Sequence, residues 1–158
     1  MQNMPLIERM SQYEPVEWAL IPDLGLYMDQ VLTYIEQQLE PLYGAQAKGL
    51  ITPSMINNYV KSGLINRPLG KKYHREQLAM LMMIVTLKPA ASMDDIARLT
   101  ALKENQTAQQ LYEEFRCTQL QVLRTISIDP GASALQHAVT ATAYRLVTES
   151  LLLDERKE

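Results

Sequence analysis

Two adjacent amides, Asn57 and Asn58, are followed by Lys61 and then by Arg67, Lys71, Lys72 and Arg75, with no acid until Glu76. An amide side chain offers a donor and an acceptor together, which matches the edge of an adenine in a major groove, while lysine and arginine suit phosphate oxygens. Residues of these types suit recognition of a nucleic acid. Groups that would make or break bonds are scarce. His74 and His137 have no second histidine or cysteine at ligand spacing, and Cys117 is the single cysteine. Asp94 with Asp95, and Glu113 with Glu114, are sequence neighbours on helices and diverge, which suits solvation better than a shared proton. Met80, Met82 and Met83 read as core filling, since thioethers alone select only soft metals. No enzyme activity, cofactor or metal is expected. The plainer reading of the same residues is that the amides solubilise a short helix and the bases form a solvated face.

Local sequence signals place these groups on defined elements. Thr52 and Pro53 form a cap and a first helical position, and the helix runs through Lys61 to a stop at Gly63. Met55, Ile56, Tyr59 and Val60 form its inward stripe, leaving Ser54, Asn57, Asn58 and Lys61 outside. Pro68 and Gly70 bring turn chemistry to the basic loop, as in a short hairpin or wing. Arg75 to Leu87 is apolar nearly all round and reads as the central helix of the domain, with His74 able to cap it and Pro89 to stop it. Its apolar run, Leu78 to Leu87, is about half the length of a membrane span. Ser92 and Asp95 resemble a capping box opening a short helix with Met93, Ile96 and Leu99.

Upstream, Met28, Val31, Leu32, Ile35 and Leu39 predict an amphipathic helix over 24–39, with Asp23 as its cap. Pro41 to Leu50 is then a long connection to the amide-bearing helix, filled either by a short extra helix or by a modified packing. Prolines 5, 15 and 22 make residues 1–22 an extended arm with at most a short helical turn. Downstream, Leu111, Phe115, Val122 and Ile126 share a helical stripe, Asp129 to Gly131 is a turn, and a last helix covers Ala132 to about Leu153. These two helices expose more apolar surface than they can cover alone.

The order of these segments resembles the MerR-like winged helix-turn-helix proteins. The positions that carry the likeness are Ile56, Tyr59, Gly63, Leu64 and Ile65, then Gly70, Tyr73, Leu81 and Ile84, then Ser92, Met93, Ile96 and Leu99. Where such proteins commonly carry an arginine on the outward face, this chain has Asn57. The chain is more similar still to an uncharacterised bacterial family, domain of unknown function 1836, in which segments like IPDLGLYMDQV, MINNYVKSGLI, KKYHREQL and SMDDIA occur in this order. The resemblance implies an all-α fold: a winged helix-turn-helix domain with a short wing, followed by a C-terminal antiparallel helix pair. It implies a transcriptional regulator that binds double-stranded DNA. Ser54, Asn57, Asn58, Lys61, Arg67, Lys71, Lys72, Tyr73 and Arg75 would form the contact surface, with Tyr59 and Tyr73 supporting reader and wing and Tyr73 within reach of a phosphate.

Length and charge agree with such a division. A chain of 158 residues, 47% hydrophobic and 21% charged, suits a packed soluble domain with a helical partner half. We divide it into an arm at 1–22, a helix-turn-helix domain at 23–102 and a C-terminal region at 103–158. Residues 41–88 hold seven bases and one acid, a local +6, although the chain as a whole carries −3. Charges beyond about 8 Å are largely screened at physiological salt, so the local excess governs. The alternative is that the arm, with most of its charges negative, folds over this patch. No leader or membrane span is expected, and the cytoplasm is the expected compartment. A homodimer through the C-terminal helices or the arm is expected, because one reader of this size binds weakly. The competing functions are a protein-interaction module that keeps the fold without binding DNA, and a ligand sensor with a pocket near Tyr112 and Phe115.

Overall fold

Apart from two isolated antiparallel bridges, regular structure in this computed structural model, which describes residues 5–157, is helical. The first four residues of the expected arm and the last residue of the charged tail lie outside the described residues. In order come α1 (Leu6–Gln12), a 3-10 turn (Trp18–Leu20), α2 (Met28–Tyr43), a second 3-10 turn (Gly44–Ala47), α3 (Pro53–Lys61), α4 (Arg75–Leu87), α5 (Met93–Leu99), α6 (Ala108–Thr125) and α7 (Ala134–Asp154). The all-α expectation therefore holds among the described residues. No helix there is long and apolar enough to cross a membrane.

The core is built round α4, which buries Leu78, Ala79, Leu81, Met82, Met83, Ile84 and Val85. Against it lie Val31, Ile35 and Leu39 of α2, Ile56 and Tyr59 of α3, Ile96 of α5 and Leu111 and Tyr112 of α6, with Ile21 from the arm. Each fully buried aliphatic chain contributes roughly 1.5–3 kcal/mol, so a helix apolar on all sides is stable only at such a centre. Gln77 is also buried, but its amide is satisfied: Oε1 accepts from His74 N–H at 2.7 Å and Nε2 donates to Asn66 O at 2.9 Å.

The helix predicted over 24–39 begins at Met28 and continues to Tyr43. Asp23 is not its cap; its Oδ1 accepts from Arg75 N–H at 3.1 Å, so it caps α4 instead. Pro41 falls inside the last turns of α2, where the lost backbone bond is tolerated because Leu39 and Leu42 anchor the turn in the core. Arg9 Nε donates to the Leu42 carbonyl at 3.2 Å, supplying a partner to one of the carbonyls left open at the helix end. The long connection to α3 is filled by the second 3-10 turn, with Ala47 buried.

The arm contains more helix than its prolines predict, and it packs along α2 and α6. Tyr13 is buried there beside Tyr34 and Tyr43; burial, and after it the two neighbouring phenols, pushes its pKa up to about 12. Tyr112 donates to Val16 O at 2.6 Å and is also raised, chiefly by burial. The Tyr34 hydroxyl is buried with no partner in the structure.

The C-terminal helices are not the packed antiparallel pair expected from the sequence. α6 lies on α4, α1 and the first 3-10 turn, whereas α7 leans on α5. Of α7 only Leu152 is buried, and Arg98 donates to the Leu152 carbonyl. The stripe predicted on α6 divides likewise: Leu111 and Tyr112 are in the core, while Val122 and Ile126 are exposed. The cause is local. The N-terminal half of α6 has α4 beneath it, and beyond Phe115 the chain runs out over the arm.

Candidate functional site

α3 starts where its cap dictates. Thr52 Oγ1 accepts from Met55 N–H at 3.2 Å, and Pro53 occupies the first helical position. Ile56 and Tyr59 hold the inner face, and Tyr59 O accepts from Leu64 and Ile65 N–H at 3.0 and 3.2 Å, closing the chain after Gly63. Ser54, Asn57, Asn58 and Lys61 are exposed on the outer face. None of the four side chains has a hydrogen-bond or ion-pair partner among the described residues.

The basic loop folds into a tight turn. Lys72 N–H donates to Leu69 O at 3.0 Å, and both central residues, Gly70 (φ +56°) and Lys71 (φ +63°), are left-handed. For a lysine this conformation costs about 1–2 kcal/mol, and such strain collects where a tip must be held in a set direction. The turn is tied to the entry of α2 by a reciprocal pair, Leu26 N–H to Tyr73 O and Tyr73 N–H to Leu26 O, both 2.8 Å.

A groove of about 580 Å³ lies between the start of α2, the start of α3 and this turn. Asn57 and Lys71 both line it, together with Tyr27, Leu32 and Pro53, and it contains one acid, Asp29. Lys61 follows Asn57 one turn along α3. Lys72 is half-buried and lies over the edge of the same region. Its stem rests on Gly25, where a Cβ would approach it to 3.1 Å, and its ammonium sits 5.4 Å from the centre of the Tyr27 ring.

Of the other predicted residues, Tyr73 also lines this groove, whereas Arg67 and Arg75 do not. Arg67 lines a different cleft, of about 420 Å³, with His74, Arg75 and Trp18. Arg75 is occupied internally: Nε donates to Ile21 O at 2.9 Å, one terminal nitrogen to Ala19 O at 3.5 Å, and the guanidinium lies 5.9 Å from the Trp18 ring centre. It fastens the arm to α4. Tyr73 is only 4% exposed and its pKa is raised by burial, so its ring is part of the core face of the turn. His74 stands at the N-cap of α4, as expected, with its N–H donating to Gln77 Oε1; its Nδ1 is 3.3 Å from Asp23 O, and Asp23 Oδ1 accepts from the Arg75 N–H. Sequence reasoning missed Tyr27 and Leu32 as neighbours of Asn57, since nothing in a helical repeat tells which outer residue faces a segment 25 to 30 residues away.

The acidic residues of the arm do not cover α3. Glu14 pairs with Arg124 at 3.2 Å and Glu17 with Arg116 at 3.7 Å, both on α6, and Glu113 of α6 accepts from Trp18 N–H at 3.1 Å. Near the sensor pocket expected from the sequence, Tyr112 is 1% exposed and its hydroxyl is engaged. The cavity between α4 and α6 measures about 190 Å³ and is lined by Met80, Met83 and Leu111. No group of three or more His, Cys, Asp or Glu able to hold a metal occurs among the described residues.

A family model described as Domain of unknown function (DUF1836) matches residues 16–115, well over half of the chain. The match runs from the arm to the first half of α6, close to the limits of the core. Neither a curated protein nor a solved structure matches the chain.

Proposed function

The chain belongs to the DUF1836 family, and on that footing we propose that it is a DNA-binding transcriptional regulator with a MerR-like winged helix-turn-helix. In this reading α2 supports α3, α3 enters the major groove, and the Leu69–Lys72 turn is the wing. The observation that carries it is the open outer face of α3, whose Asn57 shares a groove with Lys71 at the tip of a strained turn. Asn57 and Asn58 face base edges, while Ser54, Lys61 and Lys71 hold phosphates. Lys72 contributes charge from above Tyr27, and Arg67 reaches the backbone from the other side of the turn. Arg75 and Tyr73 keep this surface in place without touching the duplex. Residues 23–102 act as the reader and 103–158 as the pairing region, in the cytoplasm. The reading expects two copies on one duplex, because so few phosphate contacts give weak binding to a single protomer.

The test is a titration against duplex DNA at several salt concentrations, with Lys61→Ala and Lys71→Ala as variants. Affinity is expected to fall steeply with salt, and each variant to lower the slope of log affinity against log salt by about one unit. Both side chains are exposed and unpaired, so neither change disturbs the fold. Absence of binding at low salt overturns the reading.

A further inference from the structure

Among the bases of the outer surface, Lys72 is held differently from Lys61 and Lys71. Those two are exposed, whereas Lys72 is half-buried against the entry to α2. Gly25 (φ +83°) turns bare backbone to its stem: a Cβ there would stand 3.1 Å from both Cβ and Cδ of Lys72 and 3.2 Å from His74 Cε1, so only glycine leaves room for the lysine. Leu26 fixes the next residue of the turn through its two bonds of 2.8 Å with Tyr73. Tyr27 then places its ring centre 5.4 Å from the Lys72 ammonium. Consecutive residues of one segment thus hold the stem, the adjoining backbone and the head of a single side chain.

Tyr27 is itself set in place. Its N–H donates to Gln30 Oε1 at 2.9 Å, and its carbonyl accepts from the N–H of the buried Val31 at 2.9 Å, which fixes it at the start of α2. Its ring is 50% exposed and lines the groove that also holds Asn57 and Lys71. No carboxylate lies within ion-pair distance of Lys72 among the described residues. A carboxylate would occupy the donors of the ammonium and cancel its charge, whereas the face of a ring attracts the cation and leaves its N–H groups free for another acceptor. A lysine already held also has less rotamer freedom to lose when that acceptor arrives.

We propose that Tyr27 is a positioning residue for Lys72: its ring holds the ammonium beside the groove between α2 and α3, ready for a phosphate of the duplex backbone, and Gly25 provides the space in which the stem lies. The phosphate target rests on the DNA reading, but the clamp is a property of the free protein. Tyr27 makes no bond to the duplex in this scheme and acts through Lys72 alone.

The experiment joins a measurement on the free full chain to one with duplex DNA. In the NMR spectrum of the free protein the Lys72 Cε protons are expected upfield of those of Lys61 and Lys71, because a ring lies beneath them; the displacement should vanish in Tyr27→Leu and persist in Tyr27→Phe. In titrations against duplex DNA, Tyr27→Leu is expected to weaken binding about two- to five-fold without changing the salt slope, since no charge is lost, and Tyr27→Phe to bind as wild type. Lys72→Ala is expected to lower the slope by about one unit, and in that background Tyr27→Leu should have no further effect. Circular dichroism checks that the Tyr27 variants, changed at a half-exposed position, keep their helices. An affinity unchanged by Tyr27→Leu, or reduced equally in both backgrounds, overturns the positioning role; so does Tyr27→Phe behaving like Tyr27→Leu, which would give the role to the hydroxyl. Absence of the upfield displacement while DNA still binds overturns the clamp alone. Absence of binding at low salt with the displacement intact overturns the DNA reading, and with it the target assigned to Lys72.

Discussion

α4 and α7 are the two most apolar helices of the molecule, and they meet opposite fates. Leu78, Leu81 and Ile84 of α4 are completely buried, whereas Leu135, Leu146 and Leu151 of α7 are exposed by 61% or more. Composition does not separate them; neighbours do. α4 has α2, α3 and α6 around it, and among the described residues the main neighbour of α7 is α5, near its far end. An apolar helix surrounded by its own chain is a core, and one left outside keeps its apolar side chains in solvent.

The sharpest way to break this comparison is to truncate one leucine in each. Leu81→Ala is expected to cost about 2–5 kcal/mol in chemical denaturation, because a cavity opens at the centre. Leu146→Ala should cost under about 0.5 kcal/mol, since most of that side chain is already in solvent. Equal costs for the two leucines would mean that α7 is packed on its own chain.

Arg75→Ala is the next largest effect. It removes charge-assisted bonds to Ile21 and Ala19 and the contact with Trp18, so a loss of about 2 kcal/mol is expected, with a change in Trp18 fluorescence. Lys71→Ala should leave stability within about 0.5 kcal/mol. The pair distinguishes a base that builds the surface from one that presents it.

The remaining effect is expected only at alkaline pH. Tyr13 has a folded pKa of about 12 against 10.0 for the free side chain, so its contribution is fully present below pH 10. Between pH 10 and 12 the unfolded chain ionises first, and stability falls by about 1.4 kcal/mol per pH unit for this one group. Tyr13→Phe should flatten that part of the alkaline stability profile. The same midpoint shift in both proteins would show that the buried side of the comparison does not depend on this phenol.

Much of the region from α3 to α5 was legible because its signals are local. Thr52 and Pro53, the inward stripe of Ile56 and Tyr59, Gly63, the Gly70 turn and Ser92 act within a few residues of themselves, and α3 and α5 begin where they predict. Errors arose wherever a side chain had two possible partners. Asp23 is as good a cap for the following helix as for α4, and only the closeness of the two segments decides between them. Arg75 has the chemistry of a phosphate ligand, but two backbone carbonyls and an indole reach it first.

By itself, then, the sequence determined the helices, their caps, the apolar centre at α4 and the presence of amides and bases on outward faces, since each depends on periodicity or on a residue's immediate neighbours. The tertiary structure alone decided which outward residues share a surface. It put Asn57 beside Lys71, moved Arg67 to the far side of the turn, drew Arg75 inward, sent the acids of the arm to α6 and left α7 bare. The physical reason is that burial and pairing between distant segments depend on how the helices cross, and helical periodicity is the same whichever way they do.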